Sequence, residues 1–149
     1  MKVTVKDLFE SFGALQVLSN VVFDNERLTW TIGRIYDAAE TEWKRINRHH
    51  AKLVRKHGYE ILRDGKQTGN WIVDNGSDAE EAFQVEWENL SKEEITLLGD
   101  HYSRISYAEL RKAMPLKEGS ETERKPLPLT PGNLGVLSRW LISNEGAKD

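Results

Sequence analysis

Residues 28–53, LTWTIGRIYDAAETEWKRINRHHAKL, hold the pattern on which the fold turns. Leu28, Ile32, Ile35, Ala39, Glu42, Ile46, His49 and Leu53 alternate at four and three positions through about four heptads, which is the signature of one long helix with a single seam. The spacing predicts a helix from about Asn25 to Lys56. Asp24 or Asn25 supplies the side-chain oxygen that caps its first turn, and His57-Gly58 offers a residue tolerant of positive φ to stop it.

Upstream, Val5, Leu8, Phe9, Phe12, Leu15 and Leu18 recur at three and four, and Thr4 with Asp7 three residues on marks a helix start. That helix is expected to end near Ser19-Asn20. Downstream of Gly58 the period changes. Tyr59-Glu60-Ile61-Leu62, Asp64-Gly65 and Trp71-Ile72-Val73 suggest a two-stranded β-hairpin closed by Asn75-Gly76, its register blurred by Lys66-Gln67-Thr68 and Gly69. Ser77 and Asp78, each followed three residues later by Glu80 or Glu81, then open a third helix carrying Ala79, Phe83, Trp87 and Leu90. It is expected to run back along the long helix.

The C-terminal third is less regular. Ile95 to Leu98 reads as strand-like, broken at Gly99-Asp100, with a second strand-like run over residues 101–105. Ser106 with Glu109 opens a short helix to about Ala113. Residues 115–130 carry prolines 126 and 128 and the polar run 119–125, and are expected to form an exposed, extended loop with nothing to bury. Thr130-Pro131 caps a last helix with Leu134, Leu137 and Leu141 on one face. The fold class is therefore mainly α with a small β part: a long antiparallel helical hairpin with a β-hairpin at its tip and flanking helices at both ends, one domain over residues 1–149.

A chain of 149 residues can bury a core without staples. It has no cysteine, which excludes disulfides and thiolate chemistry and fits a reducing compartment. The first residues lack the apolar block of a signal peptide, and no apolar run is long enough to span a bilayer, so no membrane partner is expected. The formal charge of −3 gives no general attraction to nucleic acid, so only a local patch could bind one.

Such a patch exists in the sequence. Lys44, Arg45, Arg48, Lys52, Arg55 and Lys56, with His49, His50 and His57, occupy residues 44–57 without one acidic residue. The third helix is the complement, with Asp78, Glu80, Glu81, Glu86, Glu88, Glu93 and Glu94 against a single Lys92. An antiparallel hairpin lays one beside the other, so that opposite charges flank an apolar seam and fix its direction. That structural reading is adopted, and nucleic acid is not the expected partner. The competing reading makes Lys44, Arg45, Arg48, Lys52 and Arg55 a phosphate-contact face.

No metal site, cofactor site or catalytic residue is expected. His49 and His57 share a helix face, but cysteine is missing, no HExxH occurs, and neighbouring cations repel a dication. Ser103, Ser106 and His101 lie close in sequence without a nucleophile elbow or phosphate loop, and read as capping and turn residues. Trp43 and Trp87 are assigned to the seam. Trp30, one position off the heptad face, is the best candidate for an exposed partner-binding anchor, and Trp71 on the hairpin tip is second. Pro126 and Pro128 belong to the loop expected to dock on a partner.

The order of elements is also familiar. A long helix stops at Leu53-Val54-Arg55-Lys56-His57-Gly58, a short glycine-containing hairpin follows, and then comes Phe83-x-x-Glu86-x-x-x-Leu90-x-x-x-Glu94 with a leucine-bearing terminal helix. Over about residues 8–142 this resembles a family of small uncharacterised proteins encoded by tailed bacteriophages, from which it departs in the insertion at 115–130 and in its Trp-rich surface. The resemblance implies a non-catalytic virion or assembly component, a homo- or hetero-oligomer with other phage proteins, found in the virion or the host cytoplasm. The alternatives are a phage regulator or inhibitor that binds a host protein, and a nucleic-acid-binding protein using the basic helix.

Overall fold

The computed structural model describes residues 1–144. The Thr4 hydroxyl accepts a hydrogen bond from the Asp7 amide at 3.1 Å and starts α1 (Val5–Ser19), as the capping pattern requires. Immediately before it, β1 (Lys2–Thr4) pairs antiparallel with β4 (Glu94–Thr96), a pairing of three residues on each side that has no periodicity to announce it. Asn25 caps α2 (Glu26–His57) by accepting from the Leu28 amide at 3.0 Å. The long helix thus lies within one residue of its expected bounds.

The main partner of α2 is α1, followed by the third helix. Leu28, Ile32, Ile35, Ala39, Ile46 and Leu53 are buried along the predicted seam. Glu42 and His49 are not: Glu42 pairs with Arg45 in its own helix at 3.1 Å, and His49 is exposed. On α1, Ser11, Phe12, Ala14 and Leu15 are buried as well as Leu8 and Leu18, an arc too wide for one neighbour. The arc is explained by α5 (Pro131–Leu137), which packs on a second side of α1. Each such leucine, removed from water entirely, contributes roughly 2 kcal/mol.

Gly58 ends α2, but with extended backbone at φ −112° rather than the positive φ expected of it. Glycine is needed for room instead. A Cβ there would run into the carbonyl oxygen of Ile72 and lie 2.6 Å from that of Val54. The strands that follow, β2 (Tyr59–Arg63) and β3 (Lys66–Ile72), pair antiparallel, with Asp64 at φ 54° and Gly65 at φ 76° making the tight turn. The register shifts between Glu60 and Leu62. There β3 bulges, with Gly69 at φ 78°, and the Thr68 hydroxyl donates to the Ile61 carbonyl at 2.5 Å.

Ser77 caps α3 (Asp78–Ser91), accepting from the Glu80 amide at 3.1 Å while the Glu80 carboxylate accepts from the Gly76 amide at 2.5 Å. This helix returns along α2 as expected, but the charge pairing predicted for the seam is confined to one residue. Only Glu86 crosses to α2, accepting from Lys56 at 2.5 Å and His57 at 3.0 Å. Glu81, Glu88, Glu93 and Glu94 stay exposed. The reason is aromatic. Phe83 and Trp87 seat α3 on His50, with ring centroids 5.6 and 4.8 Å away, and Trp87 reaches Phe9 of α1 at 5.1 Å, so the carboxylates are turned outward. Trp43 is likewise not in the α2–α3 seam; it stacks on Phe12 of α1 at 4.6 Å.

Residues 101–104 are not a strand. Only β5 (Ile105–Ser106) forms, parallel to β6 (Ile142–Ser143), and Ser106 caps α4 (Tyr107–Lys112). The 115–130 segment contains no helix or strand, but it does bury something. Leu127 and Leu129 pack against the core, and Leu116 bridges Arg124. Leu141 lies beyond the end of α5, in the turn leading to β6, and is fully buried there. One core runs from Met1 to Ile142.

Candidate interaction site

Strand alternation without a covering layer leaves both faces of the β2–β3 hairpin in solvent. Tyr59 and Ile61 share one face with Ile72, the cross-strand partner of Tyr59, while Leu62 lies on the other. All four are exposed, Leu62 at 59% and Tyr59 at 47%. The Tyr59 hydroxyl donates to Asp74 at 3.0 Å, which steadies the base of the hairpin, and Trp71 is half-buried opposite Glu60. An isolated two-stranded hairpin is marginally stable in water, and this one carries four large apolar side chains exposed to solvent.

Trp30 stands 67% exposed in the second turn of α2, as its place off the heptad face predicts. Val22, in the connection from α1, is 76% exposed. The connection is fixed by the Phe23 amide donating to the Thr29 hydroxyl at 3.1 Å, so both side chains are presented from a held backbone. Pro126 and Pro128 are exposed, alternating with the inward Leu127 and Leu129.

The basic residues of α2 divide into two sets. Lys44 pairs with Glu40 at 3.4 Å and Arg45 with Glu42, both within the helix, and Lys56 is held by Glu86. Arg48, Lys52 and Arg55 are exposed and form no ion pair with any described residue. With Arg45 they recur at three and four positions, which places them in one stripe on the side of α2 turned away from Ile46 and Leu53. The internal neutralisation expected from α3 therefore does not reach them.

His101 and Ser103 are exposed and line an open polar cleft of about 480 Å³ beside Arg27, Tyr102, Arg104 and Glu109, and Arg34 sits 5.9 Å above the Tyr102 ring. Ser106 serves as the α4 cap, its hydroxyl accepting from the Glu109 amide at 3.4 Å. Among the described residues no His, Asp and Glu side chains cluster as ligands for a metal ion, and no helix is long and apolar enough to cross a membrane.

Sequence reasoning found Trp30 but passed over Tyr59, Ile61, Leu62 and Ile72. The available signal was that the run at 59–62 is apolar at both parities, so no strand register could hide all of it. No family model, curated protein or solved structure matches the chain.

Proposed function

We propose that this chain is a non-catalytic structural or assembly protein of a tailed bacteriophage, acting by contact with other virion proteins or further copies of itself. The observation that carries the reading is the apolar hairpin. Tyr59, Ile61, Leu62 and Ile72 project from a two-stranded element that the other described residues leave uncovered. Burial of such side chains in an interface contributes in proportion to the apolar area it removes from water. Trp30 supplies a second aromatic anchor from a rigid helix. The test is mass spectrometry of purified particles together with light scattering on the isolated chain. The chain is expected in particles or as an oligomer, and Leu62→Ser with Trp30→Ser is expected to lose that association while remaining folded. A chain that stays monomeric and is missing from particles would sink the proposal.

The stripe of Arg48, Lys52 and Arg55 supports a second reading, contact with nucleic acid along α2. Three or four phosphates neutralised in this way would give weak, strongly salt-dependent retention on DNA. Retention at low salt that disappears in a triple serine variant favours it. Absence of retention at low salt excludes it.

A further inference from the structure

A second cationic site lies far from α2 in sequence, where the 115–130 segment folds over α4. Arg111 and Lys112 from α4 and Lys117, Arg124 and Lys125 from the segment line one cleft of about 600 Å³, and among the described residues no acidic side chain lines it. Two of the five are neutralised at its margin: Lys117 by Glu123 at 3.4 Å and Arg124 by Asp24 at 3.3 Å. Arg111, Lys112 and Lys125 form no ion pair with any described residue. In a chain of net charge −3, carboxylates are abundant enough to neutralise all five, and those of the described residues pair with only two.

The cleft is built rather than accidental. Its segment is closed by the Leu116–Arg124 bridge, by the Lys117 amide donating to the Glu123 carbonyl at 2.8 Å, and by the Lys125 amide donating to Pro115 at 2.8 Å. Gly119 at φ 77° and Ser120, whose hydroxyl accepts from the Glu123 amide at 2.8 Å, turn its tip. Arg124 is tied to the Met114 carbonyl at 2.6 Å. The backbone of the segment is thus held beside α4 before any ligand arrives, which removes part of the ordering cost of binding. Arg111 lies 5.8 Å from the Tyr107 ring, so one wall is aromatic.

We infer that this cleft binds a small molecule bearing two or three linked phosphates. Three unneutralised cations match the charge of a pyrophosphate group, and the volume falls within the usual range for small-molecule sites, enough to admit a nucleotide. The phosphates belong near Lys112, Lys125 and Arg111.

The test is calorimetric titration of the full chain with pyrophosphate and, separately, with adenosine triphosphate, at low and moderate salt. Saturable pyrophosphate binding is expected, weakened about tenfold or more by Lys112→Ser or Lys125→Ser and lost in the double variant. Both side chains are exposed, so the variants should keep the wild-type circular dichroism; if one does not, Lys112→Gln and Lys125→Gln replace them. Tighter binding of adenosine triphosphate than of pyrophosphate assigns the source as a nucleotide, and equal binding assigns the phosphate group alone. No saturable binding at low salt, binding that survives the double variant, or affinity for an oligonucleotide without affinity for pyrophosphate would each overturn the inference.

Discussion

The indole N–H of Trp140 donates to the Ser11 hydroxyl at 2.8 Å, joining the turn after α5 to the middle of α1 inside the core, where Ser11 is 0% and Trp140 2% exposed. Ser11 in turn donates to the Asp7 carbonyl at 2.5 Å, so neither polar group is orphaned. Ser11→Ala removes the acceptor and leaves a buried donor unpaired, which is expected to cost about 1–3 kcal/mol. Trp140→Phe in the same background should recover part of that loss, because no donor then remains to be satisfied. Urea unfolding of the two single variants and the double variant measures the coupling.

Gly58→Ala should be among the most damaging small substitutions in the chain. Its methyl group meets two backbone oxygens, of Ile72 and Val54, and neither can move without shifting the hairpin or the last turn of α2. A loss of about 1–3 kcal/mol is expected from such crowding. Hydrogen exchange should show the protection lost first over residues 59–72, while α1 keeps its own.

Stability should fall with acid through two groups. Burial among Phe9, Phe83 and Trp87 pushes the His50 imidazole below its ordinary 6.5. The unfolded chain then takes a proton that the folded one resists. The contribution is full above pH 6.5 and declines as pH drops from there through the lowered folded value. Hydrogen bonds first from Lys56 and then from His57 hold the Glu86 carboxyl below 4.5. Its contribution is full above pH 4.5 and is lost as pH falls through its own lowered folded value. Melting temperatures followed against pH should lose the upper decline in His50→Gln and the lower one in Glu86→Gln. Parallel curves for all three proteins would contradict the assignment.

Trp30→Ser should leave stability within about 0.5 kcal/mol of the parent, since most of the side chain lies in solvent. The same substitution should remove the most red-shifted and most readily quenched part of the tryptophan emission. An unchanged quenching profile with acrylamide would mean that Trp30 is already covered in solution.

The helices were legible because local chemistry decides them. Thr4, Asn25, Ser77, Ser106 and Thr130 each cap as their side chains allow, and the seam from Leu28 to Leu53 needed only its spacing. What local pattern does not contain is which neighbour each face meets. The outward carboxylates of α3 could not be foreseen, because Phe83 and Trp87 set its rotation through rings on two other helices. The strands β1 and β6 are too short to show a period, and their partners are distant. Of the proposed interaction surface, Trp30 was legible from its angular position, while the full exposure of the hairpin depended on knowing that no other described residue folds over it.

Because α5 supplies the second wall of α1, the order of synthesis matters. A nascent chain that has emerged only through the third helix can zip α1 onto α2, yet it leaves Ser11, Ala14 and their leucine neighbours facing water until residues 131–142 arrive. Chaperones have a target during that interval, and a product ending before Pro131 should be recovered in inclusion bodies rather than as a shorter soluble protein.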